Sequence, residues 1–248
     1  PHKWGMTISS SPTAAITPII ADPRSLLYRP GLLDPDDARR LTAQALASAE
    51  DGELYLQYRV SEALGFDDGQ LKTADYSTDS GFGLRAVSGE MTGFAHAGEI
   101  SASAIRRSMA TLQLIDPARN APAAPPARTN RHLYPDANPL NFVPFAHKVA
   151  LCQMVDAAAR ARDPRVVQVS VNLVGSWSVV EIVRADGFIA QDIRPLVRLN
   201  VSIVAEENGR RESGSFGIGG RRLYDDLMGP VTWNRAIDAA LSQALTNL

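Results

Sequence analysis

The spacing of hydrophobic and polar residues along this chain changes several times, and each change marks an element. From Leu33 the period is helical: Ala38, Leu41, Ala45, Leu46 and Ala49 fall on one face. Asp34 suits the N-cap of that helix and Pro35 its first position, while Asp36 and Asp37 suit the positive end of its dipole. Gly52 is the expected stop. From Glu53 the period falls to two, with Leu54, Leu56 and Tyr58 alternating with Tyr55, Gln57 and Arg59, as in a half-buried strand. Asp68-Gly69 and Ser88-Gly89 sit between extended runs, so 53–97 reads as an antiparallel meander. A helix over 101–114 follows, capped by Ser101 and stopped before Pro117.

The order then repeats. The run Ala121-Pro122-Ala123-Ala124-Pro125-Pro126-Ala127 is too rich in proline for a helix or a central strand, so 118–139 reads as a semi-extended surface linker. A helix is predicted over 144–162, stopped before Pro164. Val167, Val169, Val171 and Leu173 then alternate with Gln168, Ser170 and Asn172. Asp186-Gly187 and Asn208-Gly209 mark further hairpins, between which Val197, Leu199, Val201 and Ile203 face away from Arg198, Asn200 and Ser202. A last helix starts near Thr232 and runs to Leu248. The expected fold is α+β: an antiparallel sheet of two hairpin-rich halves, 31–117 and 140–248, with helices packed on one face. The halves are read as one sheet, and 1–30 as a loose lead-in. Its first five residues look like an expression remnant before a natural start at Met6.

Composition narrows the function classes. The 248 residues carry a net charge of -2, which gives no general attraction to phosphate backbones, so direct nucleic-acid binding is not expected. One cysteine, Cys152, cannot form an internal disulfide and fits a reducing, cytoplasmic compartment. No stretch approaches the roughly 20 apolar residues of a membrane span.

Candidate chemistry is sparse. No two of His2, His96, His132 and His147 lie one helical turn apart, as a helix-borne zinc site needs. His96 and Glu99 are explained by a hairpin end beside a helix cap. Cys152 sits among Val149, Leu151, Met154 and Val155 and reads as a buried small hydrophobe. The glycine cluster from Ser213 to Gly220 lacks the Lys-Ser/Thr ending of a phosphate loop. It is open to three readings: a plain loop, a flexible loop at a partner or substrate surface, or a phosphate site. Arg194, Arg198, Arg210, Arg211, Arg221 and Arg222 are interleaved with Asp192, Glu206, Glu207, Glu212, Asp225 and Asp226, which reads as a solvated mixed-charge face. No residue of this chain is assigned a catalytic or metal-binding role.

One run stands apart: Gly83-Leu84-Arg85-Ala86-Val87-Ser88-Gly89-Glu90-Met91-Thr92-Gly93-Phe94-Ala95. It resembles the N-terminal part of the TldD/PmbA (TldD/TldE) family of zinc metallopeptidases, on the TldD side. Asp51-Gly52-Glu53-Leu54-Tyr55-Leu56-Gln57, Asp67-Asp68-Gly69-Gln70-Leu71-Lys72 and Asp192-Ile193-Arg194-Pro195-Leu196-Val197-Arg198-Leu199-Asn200-Val201-Ser202 resemble further family segments, in family order. The resemblance continues through Glu206-Glu207-Asn208-Gly209 into the glycine cluster. It implies an N-terminal α/β domain, with zinc held by a His-Glu-x-x-x-His helix in a C-terminal domain that this chain lacks. It also implies pairing with a TldE/PmbA-like subunit or with a second copy, and unfolded peptides as substrates. The chain is then expected to be a piece of a longer enzyme, inactive alone, whose role is pairing and scaffolding of a substrate chamber. Arg85, Arg194, Arg198, Gly214, Gly217 and Gly219 are the residues expected at a substrate or partner surface. The alternative is a standalone binding or regulatory module, in keeping with the family's older label, modulator of DNA gyrase.

Overall fold

The computed structural model describes residues 22–112 and 133–248. The lead-in up to residue 21, the Pro-rich run of the expected linker and positions 113–114 of the second expected helix lie outside these residues. Helix α1 (Pro35–Ala45) begins as its sequence dictates, with the Asp34 carboxylate accepting the Asp37 amide at 2.7 Å. It ends at Ala45, short of Gly52, and Thr42 turns its hydroxyl back onto the Ala38 carbonyl at 2.7 Å. Gly52 instead lies in the first strand, where a side chain would collide with Leu46 and the Arg85 carbonyl.

The remaining elements are β1 (Asp51–Asp67), β2 (Gln70–Ser88), β3 (Met91–Ala97), α2 (Ala102–Leu112), α3 (Phe145–Arg162), β4 (Val166–Arg184), β5 (Ile189–Glu207), β6 (Arg210–Gly220), α4 (Asp225–Met228) and α5 (Pro230–Asn247). Single 3-10 turns cover Pro23–Leu26 and Pro139–Asn141. The strands form one antiparallel, curled sheet in the order β3-β2-β1-β4-β5-β6. Long pairing of β1 with β4, from Glu53 opposite Arg184 to Asp67 opposite Ser170, fuses the two halves. The Asn208-Gly209 turn has both φ angles positive, at 51° and 80°, the two-residue geometry that matches strand twist.

Two expectations shift. A bulge between Val166 and Gln168 turns Val167 outward, so Val166 rather than Val167 joins Val169, Val171 and Leu173 in the core. The glycine cluster is not a loop but strand β6, with Gly214 opposite Ile203 and Gly217 opposite Asn200. Loop signals misled there because glycine is rare in strands. Here its small size serves close approach.

All five helices contribute to one core on one face of the sheet, against Leu54, Leu56, Val60, Leu64 and Phe66 of β1 and the alternating apolar residues of β4 and β5. Two buried polar clusters sit in that core. Glu181 is fully buried and accepts hydrogen bonds from Arg24 Nε and Gln191 Nε2, both at 2.9 Å, and from the Tyr28 hydroxyl. Lys148 of α3 is buried, donates to Glu62 of β1 and to the Leu140 carbonyl at 3.0 Å, and lies 4.7 Å above the Tyr224 ring.

The sheet edges differ. At β6 the outward amide of Ser215 donates to Gln243 of α5 at 2.9 Å. At the other end β3 pairs only with Phe82–Ser88 of β2, so 70–81 of β2 has no outer strand among the described residues.

Candidate substrate or partner surface

The face of the sheet opposite the helices is set by the period of two. Where β1 turns Leu54, Leu56 and Val60 into the core, it turns Glu53, Tyr55, Gln57, Arg59, Ser61 and Ala63 outward. The register aligns these with outward residues of neighbouring strands. One row runs Asp75, Ala63, Val174, Arg198, Gly219; the next runs Ser77, Ser61, Ser176, Leu196; a third runs Asp79, Arg59, Ser178, Arg194. No helix among the described residues covers this face.

Five of the six expected surface residues lie on this face. Arg85 makes a two-pronged pair with Glu53, at 2.6 and 2.7 Å, with Asp51 at 3.6 Å. Its hydrogen bonds to the Glu53 carboxylate raise the pKa of the guanidinium. Arg194 pairs with Asp192 at 2.6 Å, and Asp192 also accepts from the Tyr134 hydroxyl at 3.0 Å. Burial, followed by that carboxylate, holds the Tyr134 phenol above its ordinary range. Arg198 is exposed, donates to Asn200 Oδ1 at 2.7 Å, and leans over Gly217. Gly217 and Gly219 lie on the same face, beside it. Gly214 lies elsewhere: it points to the helical face, where a side chain would collide with the Ala240 carbonyl and the Ala244 amide of α5.

Other parts of this face escaped sequence reasoning. A concavity of about 270 Å³ sits on the floor of Ser61, Ala63, Ser77 and Ser176, beside Arg59 and Asp75. A second, of about 540 Å³, lies over Gly81 and Gly83 between Tyr55, Phe94 and His96. Phe94 is 62% exposed, and its ring lies 5.7 Å from that of His96. The alternation in β1 was enough to put Arg59, Ser61 and Ala63 on the outer face. Their neighbours from β2 and β4 follow only from the register.

The described residues do not fit a zinc centre. No group of three or more His, Cys, Asp or Glu side chains among them is placed to hold a metal. Glu99, just after β3, faces Arg107 at 3.7 Å, and His147 lies on α3. Cys152 is buried, and burial lifts its thiol to about 11. Among the described residues no helix is long and apolar enough to cross a membrane.

Comparison with known proteins gives the frame for this surface. Residues 52–112 match the family described as PmbA/TldA metallopeptidase domain 1, and residues 138–248 match the PmbA/TldA metallopeptidase central domain. Metalloprotease TldD homologs are similar to this chain: one from Buchnera aphidicola subsp. Schizaphis graminum is 38% identical over 205 residues, and one from Haemophilus influenzae 39% over 209. Each match covers 79% of this chain but 42% of the relative, so the chain spans less than half the length of those proteins. Among solved structures, a proposed modulator of DNA gyrase from Bacteroides thetaiotaomicron superposes with a TM-score of 0.64 at 13% identity, over 85% of this chain and 48% of that one. TldE from Thermococcus kodakarensis gives 0.59 at 14% identity, over 82% and 46%. These two likenesses concern the fold alone. With two consecutive family domains matched in order on one continuous sheet, the chain belongs to the PmbA/TldD metallopeptidase family and corresponds to the N-terminal portion of its TldD homologs.

Proposed function

We propose that this chain is the non-catalytic N-terminal part of a TldD-like metallopeptidase acting on unfolded peptides, and that it serves as chamber wall and pairing surface. The observation that carries this reading is the division of labour between the two faces of the sheet. One face is filled by five helices; the other presents arginines, carboxylates and two concavities with no helix among the described residues upon it. Arg85, Arg194, Arg198, Gly217 and Gly219 form the substrate or partner surface on that open face, while Gly214 supports it from behind by seating α5. The edge at 70–81 of β2, without an outer strand among the described residues, offers main-chain donors and acceptors to an extended chain without requiring a sequence, which suits unfolded substrates. Its partner is a TldE/PmbA-like subunit or a second copy, and the protein works in the cytoplasm. Zinc chemistry belongs to residues outside this chain.

The test uses the remainder of a TldD homolog, produced with and without this chain. Hydrolysis of an unfolded protein and co-elution with a TldE-like subunit are expected only when this chain is joined to it. Undiminished hydrolysis and pairing by the remainder alone overturn the proposal. The likeness to proposed modulators of DNA gyrase motivates a second reading, a regulatory module acting by protein contact. Inhibition of gyrase supercoiling by this chain alone would favour it.

A further inference from the structure

We infer that the open face carries a binding site for a short peptide with free ends, about four residues long, lying across the strands with its ammonium at Asp75 and its carboxylate at Arg198. The inference rests on the reading of this face as a peptide-facing wall, and names the class of peptide that the wall takes.

Its first support is register. Asp75 of β2, Ala63 of β1, Val174 of β4 and Arg198 of β5 are successive partners in one row, so an acid and a base end a line of small or apolar side chains. Strands lie about 4.8 Å apart, so three intervals span about 14 Å, and an extended chain rising about 3.4 Å per residue covers that in about four residues. Charge is the second support. Arg85 and Arg194 are each committed to a carboxylate beside them, whereas neither Asp75 nor Arg198 makes an ion pair among the described residues. Negative charge at one end and positive charge at the other match a peptide with both termini ionised, in one orientation.

The floor is the third support. Ser176, two residues along β4 from Val174, points to this face, and its hydroxyl makes no hydrogen bond among the described residues. A peptide laid along the row passes beside that hydroxyl, which can bond to its backbone. The concavity of about 270 Å³ lies over this floor, between Asp75 and Leu196. To receive a carboxylate, Arg198 exchanges its bond to Asn200 for a charge-assisted one.

The probe is tetra-alanine, with N-acetylated, C-amidated and octameric versions, titrated into the 248-residue chain. Binding is read by calorimetry and by amide shifts. Tetra-alanine is expected to shift Ala63, Val174 and Ser176, and blocking either end should weaken it about tenfold, as loss of a hydrogen bond to a charged group does. The octamer should bind more weakly than the tetramer. In Asp75→Asn the penalty for acetylation should vanish while that for amidation stays; Arg198→Gln should do the reverse. Both residues lie on the surface, and circular dichroism checks that each variant is folded. Equal binding of blocked and free peptides, no binding, or variants that weaken every peptide alike overturn the site. The hydrolysis and pairing assays above use native residues throughout, so failure of the site and failure of the peptidase reading are separate results.

Discussion

Glu181, Tyr28 and Cys152 show what single side chains contribute. Glu181 lies beneath the N-terminal turn and accepts from three donors, so Glu181→Ala leaves the Tyr28 hydroxyl and the partly exposed Arg24 without that acceptor, and denaturant unfolding should show a loss of about 1–3 kcal/mol. The phenol of Tyr28 is pushed above its ordinary value, chiefly by burial and then by its bond to Glu181; that of Tyr224 is pushed up by burial and Glu62. Below about pH 10 both folded and unfolded chains keep these protons, and the full stability is present. As pH rises further the unfolded chain ionises first and binds fewer protons, so stability must fall. Urea midpoints should therefore drop through alkaline pH, and less steeply in Tyr28→Phe. Cys152 should be silent to a thiol reagent at neutral pH in the native protein and react fully once unfolded.

At the scale of elements, β6 and α5 form the most instructive pair. A methyl group at Gly214 would meet the backbone of α5, which cannot yield without moving the helix, so Gly214→Ala should cost roughly 1–3 kcal/mol in chemical denaturation. At Gly217 the obstacle is the Arg198 guanidinium and Asn200, side chains that can swing aside, so Gly217→Ala should cost much less. The sequence made most of this level legible. Period-two runs, Asx-Gly turns and the Asp34-Pro35 start placed the strands, the hairpins and α1 because each depends on neighbours within a few residues. Gly52 and the Ser213–Gly220 cluster were misread for the complementary reason. A glycine that permits a turn and one that admits another backbone look the same until the partner is known. The open face was half legible: alternation gave the outward residues of each strand, but the row from Asp75 to Arg198 depends on four strands in register. Short α4 gave no periodic signal at all.

At the scale of the molecule, β1–β4 pairing and the Lys148–Glu62 contact tie the first half to the second. Unfolding should therefore be a single transition whose midpoint moves alike by fluorescence and circular dichroism. Lys148→Met or Glu62→Leu alone leaves one buried charge unmatched and should cost about 3–5 kcal/mol, while the double variant should recover much of the loss. The contrast between the sheet's two ends has a further consequence. With Gln243 occupying the Ser215 amide at β6, while 70–81 of β2 has no outer strand among the described residues, the β2 edge is the better placed of the two to receive an added strand. Two such molecules meeting at their β2 edges would present the same segment to each other about a two-fold axis, so a contact of this kind makes a closed pair rather than a filament.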